Sequence, residues 1–283
     1  MHQKQAIWEA IYRLYEHRQF SMAGAVAFSF LISLFPFCIL LGAVAGIIGD
    51  VQLAQQAIGH LFDALPEDVA EGLAREVKTV MTTSRIDLLT LGGVITMFFA
   101  TSAVETLRAA LNLAYRVREE RNYLLCLGLS MLHILGSIII MLALTWMLLV
   151  APGLVQIIQS EFLINFMNSA LMQSGALYAI AALVIGFLLC AMHLWLVAGR
   201  RMLSDIWPGI VLTVLLWLAI GTLYSYYLSY SNYTRFYAGL SQLMVALIFF
   251  QITAVAIILG AELNRGLIAL REMGGTKVSG FTE

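Results

Sequence analysis

Residues 98–121 read FFATSAVETLRAALNLAYRVREER. The stretch begins as apolar helix, from Phe98 to Val104, and ends in a run of charge, from Arg116 to Arg121. A helix leaving a membrane has this form, apolar where lipid surrounds it and cationic where it meets water. Glu105 and Arg108 stand at the seam, three residues apart, with Asn112 four further on; together with Thr101 they share one helical face. Arg108 lies roughly 12 Å short of Arg116 at about 1.5 Å per residue. Even on the lenient insertion scale a charge in the hydrocarbon costs about 2.5–3.5 kcal/mol, so both residues are expected to face the protein interior and to be paired.

The rest of the chain extends the same theme. Of 283 residues, 61% are hydrophobic and 12% charged, against about 25% charged in an ordinary soluble domain. No Asp, Glu, Lys or Arg lies between Arg18 and Asp50, and further stretches run from Ile86 to Val104 (broken only by Asp87), Asn122 to Ser160, Phe162 to Gly199, Ile206 to Thr234 and Phe236 to Ala261. A spanning helix needs about 20 such residues, so six spans fit. Helices follow because backbone groups in hydrocarbon must be satisfied within the segment, and the alternation of barrel strands is absent. The expected fold is all-α: a polytopic bundle of six transmembrane helices forming a single membrane domain over residues 1–283. The first apolar stretch exceeds a signal h-region and follows patterned, charged chain, so it is read as a retained span despite Ala43, Val44 and Ala45.

Charge placement sets the orientation. With the N-terminus inside, the inner segments hold Lys4, Arg13, Arg18, Arg108, Arg116, Arg118, Arg121, Arg200, Arg201, Arg265, Arg271 and Lys277, whereas the outer ones hold Arg75, Lys78, Arg85 and Arg235. The positive-inside bias places both termini in the cytoplasm, as an even number of spans requires. Residues 1–19 are expected to form a cytoplasmic amphipathic helix, with Ile7, Trp8, Ile11, Tyr12 and Tyr15 at helical spacing. The outer loop 50–85 is expected to hold a second one, in which Pro66, Glu67 and Asp68 suit a first turn and Val69, Leu73, Val77 and Val80 form the apolar stripe. The tail, 266–283, is cytoplasmic and expected to be mobile beyond Arg271.

Three segments in order, AVAFSFLISLFPF (25–37), ATSAVETLRAALNLAY (100–115) and YTRFYAGLSQLMVALIFFQITAVAIILGAELN (233–264), resemble the YihY/BrkB family of bacterial inner-membrane proteins over nearly the whole chain. Ala27-Phe28 stands where the family usually has Ala-Tyr, and Tyr237, Ala238 and Gly239 where it has Tyr-Gly. The resemblance implies a six-helix bundle and carries three labels: a ribonuclease name, a virulence or serum-resistance name, and transport, including that of envelope lipids.

The candidate sites each have a bland alternative. GAELNR ends the sixth span with Glu262, Asn264 and Arg265, where small Gly260 and Ala261 admit a close neighbour. Glu105, Arg108 and Asn112 are expected to approach Glu262 and Asn264, as an interhelical clamp or as a substrate or proton site. Pro36 is expected to bend the first span, either as a static kink or as a gate lined by Ser29 and Ser33. Gly42 and Gly46 form a G-x-x-x-G packing signal. Tyr224, Tyr226, Tyr227, Tyr230, Tyr233 and Tyr237 crowd an outer end around Arg235, as an aromatic belt or as a headgroup contact centred on Arg235, Tyr233 and Tyr237. His133 and His193 are lone span histidines, read as proton shuttles or as groups bonded to a neighbouring helix, and His60 with Asp63 is half a metal site or solvated surface.

No P-loop, H-E-x-x-H or G-x-G-x-x-G is present, and Cys38, Cys126 and Cys190 have no C-x-x-C pairing. No catalytic residues, cofactor or metal are therefore expected, and the leading expectation is a transporter or flippase-like protein, not driven by ATP, for an envelope lipid or another amphipathic or anionic substrate. A structural or assembly protein of the envelope is the alternative, and a ribonuclease the third. The expected partners are membrane lipids and, for an assembly role, a second copy or another envelope protein, but not nucleic acid.

Overall fold

The computed structural model describes residues 19–48, 51–63, 65, 67, 69–71, 73, 91–158, 176–230 and 241–279. Seven helices organise them: α1 (Gln19–Ile48), α2 (Val51–Asp63), α3 (Leu91–Tyr115), α4 (Tyr123–Ile158), α5 (Ala176–Ala191), α6 (Leu203–Tyr230) and α7 (Ser241–Ser279). A π-helical turn, Met192–Leu196, continues α5. Among the described residues there is no strand.

Among the described residues, four stretches are long and apolar enough to cross a membrane: Gln19–Val44, Tyr123–Trp146, Leu203–Leu228 and Leu243–Arg271. The other two expected spans fall on α3, whose second half carries Glu105 and Arg108, and on the shorter apolar run Ala182–Leu196. Large apolar side chains point outward on α1, α4, α5 and α6, among them Phe28, Leu132, Leu183, Phe187 and Leu215. Such exposed surface is what a lipid solvent requires and what water penalises.

Small residues set the packing. Ala23, Val26 and Ala27 of α1, Ala110 and Ala114 of α3, and Ala254 and Ala261 of α7 are all buried, and these three helices pack on one another. In lipid, where burying apolar area between helices yields little, close approach through small side chains holds a bundle together. Helix α7 also packs along α6, and α4 along α3. Helix α1 runs unbroken through Pro36. Ser29, on α1, bonds Thr106 of α3 at 2.9 Å; Thr106 donates its own proton to the Ser102 carbonyl at 2.8 Å, so Ser29 is the donor. Ser33 is turned back on the Phe30 carbonyl at 3.2 Å.

The loop after α1 differs in detail from the sequence reading. Its clear helix is α2, before Pro66, with Leu53, Ala57, Ile58 and Phe62 buried and Gln52, Gln55, Gln56 and Asp63 exposed. That face packs on α1 and α4. Val69 and Leu73 are buried as expected, while Pro66, Asp68, Val77 and Val80 lie outside the described residues, as does the expected helix over residues 1–18. Helix α7 continues to Ser279, so helical backbone extends into the Gly-rich tail beyond Arg271.

A candidate polar site at the charged end of the bundle

Helix α3 ends in a hydrogen-bonded left-handed cap. The Arg116 amide donates to Leu113 O and the Val117 amide to Asn112 O, each at 3.0 Å, and Arg116 takes φ 57°. Glycine is the usual residue here; a side chain in this conformation costs about 1–2 kcal/mol. The cap reverses the chain and brings Glu119 and Arg121 back beside α3.

There the first network forms. Arg108 Nη2 lies 2.5 Å from Glu105 Oε2 and Nη1 lies 2.9 Å from Glu119 Oε2. Arg121 grips Glu119 through Nε at 2.7 Å and Nη2 at 2.8 Å, and Asn112 Nδ2 adds a bond at 3.2 Å. Ser130 of α4 donates to Glu105 Oε1. Two carboxylates and two guanidiniums balance, which low-dielectric surroundings demand. Arg121 also donates to the Trp195 and Leu196 carbonyls, at 3.0 and 2.5 Å, and Asn112 Oδ1 accepts from the Ala198 amide at 2.8 Å. The loop after α3 is thereby fastened to the π-helical turn. The hydrogen bonds from Arg121 hold the Glu119 carboxyl down at about 2, and Glu119 raises Arg121 in turn. The side chains of Glu105 and Glu119 remain 20% and 24% exposed, and that of Arg108 10%. The cluster is half-wet.

A second network centres on Asn264 of α7, which is fully buried. Its Oδ1 accepts from the Gly209 amide at 2.7 Å, and its Nδ2 donates to the Tyr115 hydroxyl and to the Ile206 carbonyl, both at 3.0 Å. The Gly209 amide fixes which way the Asn264 amide points. Tyr115 Oη, accepting from Asn264, is also hydrogen-bonded to His193 Nδ1 at 2.8 Å. Arg201 lies over the Tyr115 ring, 4.0 Å from its centroid, and bonds the Ala198 carbonyl. Burial lowers the Arg201 guanidinium, with Arg265 adding to the effect.

Between the two, Glu262 of α7 accepts at Oε1 from Gln19 Nε2 of α1, and Arg116 Nη2 stands 4.0 Å from its Oε2.

The structure therefore joins Glu105, Arg108 and Asn112 in one network through Glu119. It keeps Glu262 and Asn264 in contacts of their own: among the described residues the hydrogen bonds and ion pairs of the first three do not reach the other two, and the polar contacts between α3 and α7 run through Tyr115 and Arg116 instead. Gln19, Tyr115, Glu119 and Ser130 are the partners that the sequence reading missed. Glu119 and Arg121 were legible only as exit charges, because a helical wheel ends where the helix ends. His193 takes the bland reading, bonded to a neighbouring helix. His60 and Asp63 stand 3.7 Å apart on the exposed side of α2. Tyr224 departs from the aromatic belt: it is buried and donates to the Val245 carbonyl at 2.7 Å, whereas Tyr226 and Tyr227 are exposed. Tyr233, Arg235 and Tyr237 lie outside the described residues.

Residues 10–277 match the family described as Virulence factor BrkB. The ribonuclease-like protein YfkH of Bacillus subtilis (strain 168) is similar, 23% identical over 255 residues that cover 88% of this chain and 90% of the relative. No solved structure matches. A match over nearly the whole chain, on helices apolar enough to cross a membrane several times, makes this a multi-pass membrane protein that belongs to the BrkB family.

Proposed function

We propose that this protein is a bacterial inner-membrane transporter or flippase-like protein, not driven by ATP, for an envelope lipid or another amphipathic or anionic substrate. It spans the membrane six times, α3 and the segment around Ala182–Leu196 completing the four longer spans, with both termini in the cytoplasm. The observation that carries the reading is the half-wet ion network on Glu105, Arg108, Glu119 and Arg121: buried enough to be costly, yet reachable by a polar headgroup. Anionic groups are matched by the forked donors of Arg108 and Arg121 once a carboxylate yields its place.

Proteoliposomes test this directly. Short-chain fluorescent lipids with phosphate headgroups should exchange leaflets faster with the protein than without it, and the Arg108→Gln variant should be slower. No movement of any lipid, with or without an ion gradient, would sink the reading.

The second reading is a structural or assembly protein of the envelope, favoured by the two hydrogen bonds with which Arg121 staples the loop to the π-helical turn. The ribonuclease name belongs to the relative. Among the described residues of this chain, no three His, Cys, Asp or Glu side chains come together as metal ligands.

A further inference from the structure

Gln19 and Glu262 are each 1% exposed, on α1 and α7 respectively. One bond joins them, Gln19 Nε2 to Glu262 Oε1. It leaves Glu262 Oε2 and Gln19 Oε1, both buried and both without a hydrogen-bond partner. Each orphan shares a carbon with an atom of the existing bond, so covalent geometry keeps both beside it. Ala23, one turn on from Gln19, and Ile258, one turn before Glu262, are fully buried apolar residues.

Two unpartnered acceptors on touching side chains call for a guest that is positive. An orphaned buried acceptor is costly and a charged one more so, which biases the arrangement toward binding something. Oxygen donors select a hard cation. One carboxylate and one neutral amide carry a single negative charge, which suits a monovalent ion; divalent sites gather several carboxylates.

Arg116 Nη2 stands 4.0 Å from Glu262 Oε2, too far for a hydrogen bond. Its side chain is 37% exposed and springs from the left-handed residue after α3. That placement lets the guanidinium neutralise the carboxylate from a distance and withdraw toward water without breaking a bond.

We propose that Gln19 and Glu262 form a binding site for one monovalent cation of the sodium class, and that Arg116 competes with that cation for Glu262. The site stands whether or not the chain moves a substrate.

Its test uses the purified full-length chain in detergent, with sodium chloride replaced stepwise by choline chloride at constant ionic strength. Sodium should raise the melting temperature saturably, and radioactive sodium should bind with the same midpoint. Glu262→Gln and Gln19→Leu should abolish both responses. Arg116→Gln should tighten sodium binding by about tenfold, the order expected for deleting a screened unit charge 4.0 Å away. A purely structural ion pair predicts the opposite, a loss of stability with no gain in sodium response. Equal melting in sodium and choline, as expected if only water bridges the two acceptors, overturns the proposal. So does unchanged sodium affinity in Arg116→Gln, which keeps the test decisive should Glu262→Gln fail to fold.

Discussion

Gly209 of α6 and Gly260 of α7 cross with their backbones in contact: a Cβ on either would collide with the carbonyl oxygen of the other. The same crossing carries the bonds from Thr213 to Gly209 O at 2.8 Å and to Ala256 O at 3.3 Å. Two helices held this closely cannot admit a methyl group without separating, and separation breaks the Asn264 bonds to Gly209 and Ile206.

Gly209→Ala and Gly260→Ala should each destabilise the purified protein by about 1–3 kcal/mol or more, the range for overpacking a tight contact. Gly136→Ala is the control, because nothing lies within 4 Å of its added carbon. Thermal melting in detergent reads all three. Melting temperatures as high as that of the parent for Gly209→Ala and Gly260→Ala would disprove the backbone contact.

The Glu105 and Arg108 pair predicts non-additive losses. Glu105→Gln leaves Arg108 with Glu119 alone, and Arg108→Gln leaves both carboxylates facing each other without their shared cation. Partial exposure screens the pair, so each single change should cost about 1 kcal/mol, and the double variant should cost less than the two added together. Additive losses in a double-mutant cycle would show that the two charges do not interact. A transport rate falling further than the melting temperature explains would mark the cluster as a substrate site.

Acid should loosen the loop after α3. The Glu119 carboxyl is held at about 2, below its ordinary value of 4.5. A depressed folded-state value means that the contribution is complete above about pH 4.5 and is lost as pH falls toward 2. Melting temperature should therefore drop between pH 5 and pH 3 more steeply in the parent than in Glu119→Gln, which has no such proton to take up. Parallel curves for the two proteins would rule out this assignment.

How much of this was readable beforehand follows from the reach of local rules. Charge-free runs announce spans because lipid penalises every residue alike, and Gly260 announces a crossing because only small residues permit one. The i, i+3 pairing of Glu105 with Arg108 is set by helix geometry alone. Beyond the helix, the signal stops: Glu119 enters the cluster only because Arg116 adopts a left-handed cap, and RVREER contains no glycine to advertise it. Gln19 meets Glu262 across 243 positions of sequence, a partnership decided by how α1 packs on α7. Within the amphipathic loop 50–85 the clear helix is α2, whose Leu53, Ala57, Ile58 and Phe62 hold helical spacing but which carries no first-turn signal of the kind that Pro66, Glu67 and Asp68 give.

Tyr115 gives the final prediction. Its hydroxyl accepts from Asn264 Nδ2 and is hydrogen-bonded to His193 Nδ1, while its ring supports Arg201. Tyr115→Phe keeps the ring and the cation above it but strips a buried imidazole nitrogen of its partner. Asn264 loses less, since Nδ2 retains the Ile206 carbonyl at 3.0 Å. The cost should be about 1–3 kcal/mol, the penalty for an orphaned buried polar group. Asn264→Leu should cost more, because it leaves the Gly209 amide, the Ile206 carbonyl and the Tyr115 hydroxyl short of a partner together. The order Asn264→Leu below Tyr115→Phe below parent, in melting temperature, checks the chain of bonds from α7 through α3 to the π-helical turn; the reverse order for the two variants would show that His193, not the α6–α7 crossing, depends most on this network.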